Sequence, residues 1–102
     1  MSVIYSKNPI ADTTDAVTVQ RPINTAGAHS IVVSANNLAG AEEADLYVKV
    51  GAGWEVLVDA AGTARKLTAA ITMLTLDGGP RYGVTKDLTA GACGIYVSRR
   101  KA

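Results

Sequence analysis

The chain has 102 residues, ten of them Lys or Arg and nine Asp or Glu, for a formal net charge of +1. Hydrophobic residues make up 48% of it, but seventeen are alanine, Phe is absent, and the aromatics are four Tyr and one Trp. The length sets one domain; the near-neutral balance excludes a tail-like disordered chain and a strongly basic nucleic-acid binder; and no run approaches the ~18 apolar residues of a membrane span.

A core this short of large side chains is thin, or it is completed by a partner. The N-terminal MSVIYSKNPI has no charged segment followed by an apolar one, so no secretory leader is expected. The single cysteine, Cys93, has no second cysteine to bond with, which fits synthesis in a reducing cytoplasm.

Residues 1–15 lack periodicity: Asn8-Pro9 and Asp12-Thr13-Thr14-Asp15 interrupt them, and Val3, Ile4 and Tyr5 form an isolated apolar patch. This stretch reads as an extended N-terminal arm lying on a neighbouring subunit. From residue 16 the alanines sit beside glycines, as in Ala26-Gly27-Ala28, Ala39-Gly40-Ala41 and Ala90-Gly91-Ala92. They mark turns at the cadence of an all-β domain, not helices. Val17 and Val19 begin a strand, and Ile31, Val32 and Val33 form a β-branched run. Asn37 to Asp45 contains Gly40 and is too short for a packed helix, so one helical turn or a loop is expected there.

Leu46, Val48 and Val50 then alternate with Tyr47 and Lys49. A three-residue loop, Gly51-Ala52-Gly53, turns the chain into a second strand, making a β-hairpin. Trp54, Val56 and Val58 are expected to face the core, opposed by Glu55, Leu57 and Asp59. Ile71 to Leu76 (ITMLTL) is apolar on both faces and reads as central or covered. Arg81 to Lys86 supplies another strand, and Cys93, Ile95 and Val97 alternate with Gly94, Tyr96 and Ser98 in the last. The sum is about seven strands: an antiparallel β-sandwich of the Ig-like, Greek-key type over residues 16–102, with the arm ahead of it.

The chemistry-bearing residues are sparse. His29 is the only histidine, and Ser30 beside it points to the opposite face of a strand, so no base–nucleophile pair is expected. One Cys and one His, far apart, do not make a zinc site. Glu42, Glu43 and Asp45 lack the alternating ligand pattern of a calcium loop. Gly51-x-Gly53 sits inside a hairpin and opens no helix, so it is no dinucleotide turn. The chain is thus read as non-enzymatic, with no catalytic residue, no cofactor and no metal. Arg99-Arg100-Lys101 reads as a solubilising tail, and nucleic acid is not expected as a partner. Tyr47, Leu57 and Tyr96 project opposite the presumed core. With Val3, Ile4 and Tyr5 they form the candidate interface of an oligomer.

The order Ser30-Ile31-Val32-Val33-Ser34, LAGAEEADLYVKV, a Gly turn, Trp54, LTLDGGPRYGVTK and TAGACGIYVS resembles small β-sandwich structural proteins of tailed-bacteriophage virions. The likeness is to capsid decoration (cement) and head-fibre proteins and covers about residues 28–98. It implies a homo-trimer or dimer made in the host bacterial cytoplasm and placed on the capsid surface. The partners it implies are the major capsid protein and neighbouring copies of itself, with no membrane. A carbohydrate- or host-surface-binding module and a tail or connector component are the competing readings. The expected inward placement of Trp54 counts against the first of these.

Overall fold

The computed structural model describes residues 2–23, 25 and 28–101, with residues 2–7 and Lys101 described as backbone only. Nine strands run through them: β1 (Ser2–Thr13), β2 (Val17–Ile23), β3 (Ser30–Ala35), β4 (Ala44–Val50), β5 (Gly53–Val56), β6 (Lys66–Leu67), β7 (Met73–Asp77), β8 (Tyr82–Lys86) and β9 (Cys93–Lys101). The protein is all-β. A four-stranded antiparallel sheet in the order β1-β9-β3-β7 packs on a five-stranded one, β2-β8-β4-β5, with β6 pairing β4 beyond that path.

Period-2 patterning builds the core. Ile31 and Val33 of β3 and Cys93, Ile95 and Val97 of β9 point inward from one sheet, and Ala44 and Leu46 of β4 and Val84 of β8 meet them from the other. Ile10, Leu67, Leu76 and Ile23 close the margins. Each large aliphatic side chain so buried contributes roughly 1.5–3 kcal/mol, and no phenylalanine is needed because the two sheets interdigitate β-branched residues.

The segment read as an arm runs as β1, an edge strand on β9, with Ile10 opposite Ile95 and buried. Register shifts interrupt its pairing between Val3 and Tyr5, Lys7 and Ile10, and Ile10 and Thr13. The chain then crosses at Thr14–Ala16 to β2, the edge of the other sheet.

Lys86 holds that corner. It lies on the inward row of β8, opposite Ala44, and only 3% of it is exposed. Its Nζ donates to the carbonyls of Thr13 (3.1 Å), Asp15 (2.7 Å) and Asp87 (3.0 Å), and to Thr89 Oγ1 (3.3 Å). An ammonium has three donors and strong hydration to replace, and the converging carbonyls replace it.

Three sequence expectations need correction. The hairpin loop has two residues: Val50 pairs with Gly53, and Gly51 takes φ +60° at the first turn position. That is the type II′ pattern, which suits the strand twist. The shorter loop shifts the register by one, and a one-residue shift turns every side chain over. Trp54 therefore lies beside Lys49 and Val56 beside Tyr47, on the outer face, with Val56 half exposed. Finally, ITMLTL is neither central nor covered. Leu74 and Leu76 point inward on edge strand β7, while Met73 is 60% exposed and Ile71, just before the strand, 49%. The Asn37–Asp45 segment contains a turn at Gly40–Ala41 and no helix.

Candidate functional site

At the end of the sandwich opposite Lys86, three cations meet around one tryptophan. Lys49 leaves β4 on the outer face, and its Nζ lies 4.8 Å from the Trp54 ring centroid, within cation–π range. Arg81 enters from the loop before β8, where its carbonyl accepts the Lys49 backbone N–H at 2.8 Å. Arg21 comes from β2, next to Pro22. Among the described residues neither arginine has an ion pair.

Together with Asn8, Pro9, Ile23, Thr25, Gly79 and Tyr82 they line a half-open cleft of about 780 Å³. Among the described residues no carboxylate, imidazole or thiol lines it. The floor is held firmly. The Tyr82 hydroxyl donates to the Asp77 carbonyl at 2.9 Å, and Thr25 Oγ1 donates to the Pro80 carbonyl at 2.8 Å. Burial, and then the nearby Asp77 charge, push the Tyr82 phenol up from its ordinary value, so it stays a neutral donor.

Trp54 takes its place because β8 has a glycine beneath it. A Cβ on Gly83 would lie 2.9 Å and 3.0 Å from two atoms of the indole, and 3.2 Å from Gln20 Cβ. The benzo edge therefore reaches across β4 onto β8.

The residues named from the sequence fall elsewhere, and apart from one another. Tyr47 lies on the outer face of the five-stranded sheet, where its hydroxyl accepts from Thr85 Oγ1 at 3.3 Å. Tyr96 lies on the outer face of the four-stranded sheet and donates to the Asp12 carboxylate, which raises its phenol pKa. The two tyrosines are thus on opposite sides of the molecule. Leu57 follows β5 and packs against the core. The side chains of Val3, Ile4 and Tyr5 lie outside the described residues.

The chain matches no protein-family model, no curated protein and no solved structure. What the cleft can hold is therefore set by its own lining: two planar guanidinium forks, an ammonium and an aromatic ring, a donor set suited to anions.

Elsewhere several ionisable groups are tied into the scaffold. Glu42 accepts the backbone N–H of Ala90 and of Ala39, both at 2.9 Å, and these bonds, that to Ala90 first, hold its carboxyl below the ordinary value. Asp87 accepts the Glu43 N–H at 3.0 Å, and Glu43 pairs with Lys66 at 2.9 Å. Asp45 is raised, first by burial and then by the Asp87 and Glu43 charges. Among the described residues no group of three or more His, Cys, Asp or Glu is placed to hold a metal ion. Cys93 is fully buried, which pushes its thiol up, and His29 is exposed.

Sequence reasoning missed Arg21, Lys49, Trp54 and Arg81. The available signal was the loop count: a two-residue Gly51-Ala52 turn puts Trp54 beside Lys49 on the outside.

Proposed function

We propose that this chain is a non-enzymatic structural module that assembles with copies of itself on a larger lattice, as the capsid-decorating β-sandwich proteins it resembles do. The observation that carries this is edge strand β7. Natural sheets blunt their edges with bulges, prolines or very short strands. The pairing of β1 is bulged and β1 carries Pro9; that of β2 is bulged and β2 carries Pro22; β5 has four residues. β7 has none of these devices: all five of its residues pair in unbroken register with β3, and Met73 stands exposed beside its outer edge. An unblunted edge with apolar neighbours is a template for pairing with another chain. Consecutive strands cross between the sheets at β1–β2, β2–β3, β3–β4 and from β6 to β9, which supports an Ig-like or Greek-key connectivity.

Light scattering should give a dimer or trimer, and Thr75→Pro, which removes a β7 N–H, should give a monomer that melts as a folded domain. High copy number in purified virus particles would support a virion component, and absence from particles sinks that reading. Electron microscopy of labelled particles separates a head from a tail or connector position.

A second reading, recognition of a carbohydrate or host surface, is favoured by one observation: Trp54 faces outward into a cleft. The inward placement that counted against it does not hold.

A further inference from the structure

The Trp54 cleft, taken as a carbohydrate- or host-surface-binding site, has a lining that narrows the ligand, and the ligand class rests on that reading. Its charge is one-sided. Arg21, Lys49 and Arg81 border it with no carboxylate among its described lining residues, although the chain as a whole carries nine acidic residues against ten basic ones. Like charges gathered in a small cleft repel one another, so the arrangement lowers the stability of the unliganded fold and strengthens the hold on an anion. Among the described residues the two guanidinium groups have no ion pair to give up before binding. Each offers a planar fork that matches a carboxylate or a sulfate.

The aromatic element limits the partner further. A single-stranded nucleic acid is held by successive aromatic rings along a basic track. Among the described lining residues only the Trp54 ring is available, because Tyr82 is buried and its hydroxyl is committed to Asp77. One ring flanked by cations fits one sugar ring bearing acidic neighbours. Asn8, exposed at the rim, can donate to and accept from hydroxyl groups. The volume, about 780 Å³, lies in the range of small-ligand sites.

We propose that this cleft binds an acidic oligosaccharide, with Arg21 and Arg81 on its anionic groups and Trp54 against a sugar ring. Lys49 lies over the ring in the unliganded protein and competes between it and the incoming anion.

Trp54 is the sole tryptophan, so its fluorescence reports on the cleft. The full chain is titrated with trigalacturonate, with the neutral methyl ester of that trimer, with a sulfated disaccharide and with a thymidine octanucleotide. Trigalacturonate should change the emission saturably, and R21Q and R81Q should each weaken it about tenfold without lowering Tm. The ester should bind at least about tenfold more weakly than the acid. Tighter binding of the sulfated sugar, lost in the same variants, supports the proposal and assigns the anion as sulfate. Equal binding of acid and ester overturns the acidic assignment but leaves the surface-binding reading standing. Saturation by the octanucleotide alone, or by none of the four, overturns both.

Discussion

At one end of β8, the Lys86 ammonium is buried and meets three carbonyls and a hydroxyl. At the other end, Arg81 is exposed beside Arg21 and Lys49, with no carboxylate among the described residues of the cleft they border. The same contrast separates the two ends of β4. Asp45 sits near the network of Glu43, Lys66 and Asp87, whereas among the described residues Lys49 reaches only the Trp54 ring. A charge that stabilises a fold is surrounded by partners that replace its water. A charge kept for a ligand is left with open donors, and the fold bears a small repulsion in return. The two ends should therefore respond oppositely when a cation is removed.

The largest effect is expected at the closed end. Lys86→Met keeps much of the chain length and removes every donor, leaving the carbonyls of Thr13, Asp15 and Asp87 facing an apolar group. A loss of about 3 kcal/mol is expected from several unmet polar groups, or roughly 15 °C in Tm for a domain of this size. Chemical denaturation measures it directly. An unchanged midpoint would mean that the β1–β2 corner is held by other contacts, and the contrast between the ends would fail.

Gly83→Ala tests the scaffold of the open end. The added methyl meets the indole at 2.9–3.0 Å, so Trp54 must lift off β8. A destabilisation of about 1 kcal/mol is expected from overpacking a partly exposed site, with a red-shifted Trp54 emission and weaker binding in the cleft. Retained emission together with full stability would show that the ring does not depend on the missing Cβ.

Much of the fold was legible from alternation. Leu46, Cys93, Ile95 and Val97 fall on the buried face where period 2 puts them, because one side of each strand must leave water and the other need not. The outer surface was read less well, and for a definite reason. One turn residue decides the parity of β5: Gly53 reads as loop in the sequence but pairs with Val50. That single count reversed Trp54 and concealed the cleft. The cleft itself gathers residues far apart in the chain, from Asn8 to Tyr82, and no local pattern in the sequence brings them together. Lys86 was equally hidden: it sits where alternation expects an apolar side chain, and only the crossing of Thr13 and Asp15 over the sheet end makes a lysine fit there.

A smaller effect is expected from the loop clasp at the closed end. The Glu42 carboxyl titrates below its ordinary value of 4.5 because it accepts two backbone N–H groups. The folded chain thus prefers the ionised form. This contribution is complete above pH 4.5 and is lost as pH falls through the lowered value. Glu42→Gln should lower Tm modestly near neutrality and flatten the acid limb of the stability curve. A variant whose acid limb is as steep as the parent's would assign acid sensitivity to other carboxylates. Asp45 acts in the opposite sense: its raised value means that its protonation favours the folded state, and it offsets part of the loss from Glu42 over the same acid range.

The smallest effect carries the contrast furthest, because its sign differs from that at Lys86. Arg81→Gln removes an exposed cation that has no ion pair among the described residues, and the Arg81 carbonyl that accepts from Lys49 belongs to the backbone and stays. A surface change of this kind lies within about 0.5 kcal/mol. Relief of repulsion from Arg21 and Lys49 makes it slightly stabilising at low ionic strength. Salt screens that repulsion over ~10 Å at 0.1 M and ~3 Å at 1 M, so the gain in Tm should be visible in dilute buffer and vanish in concentrated salt. A salt-independent loss of stability would put Arg81 in the scaffold alongside Lys86 and leave the cleft without its poised charge.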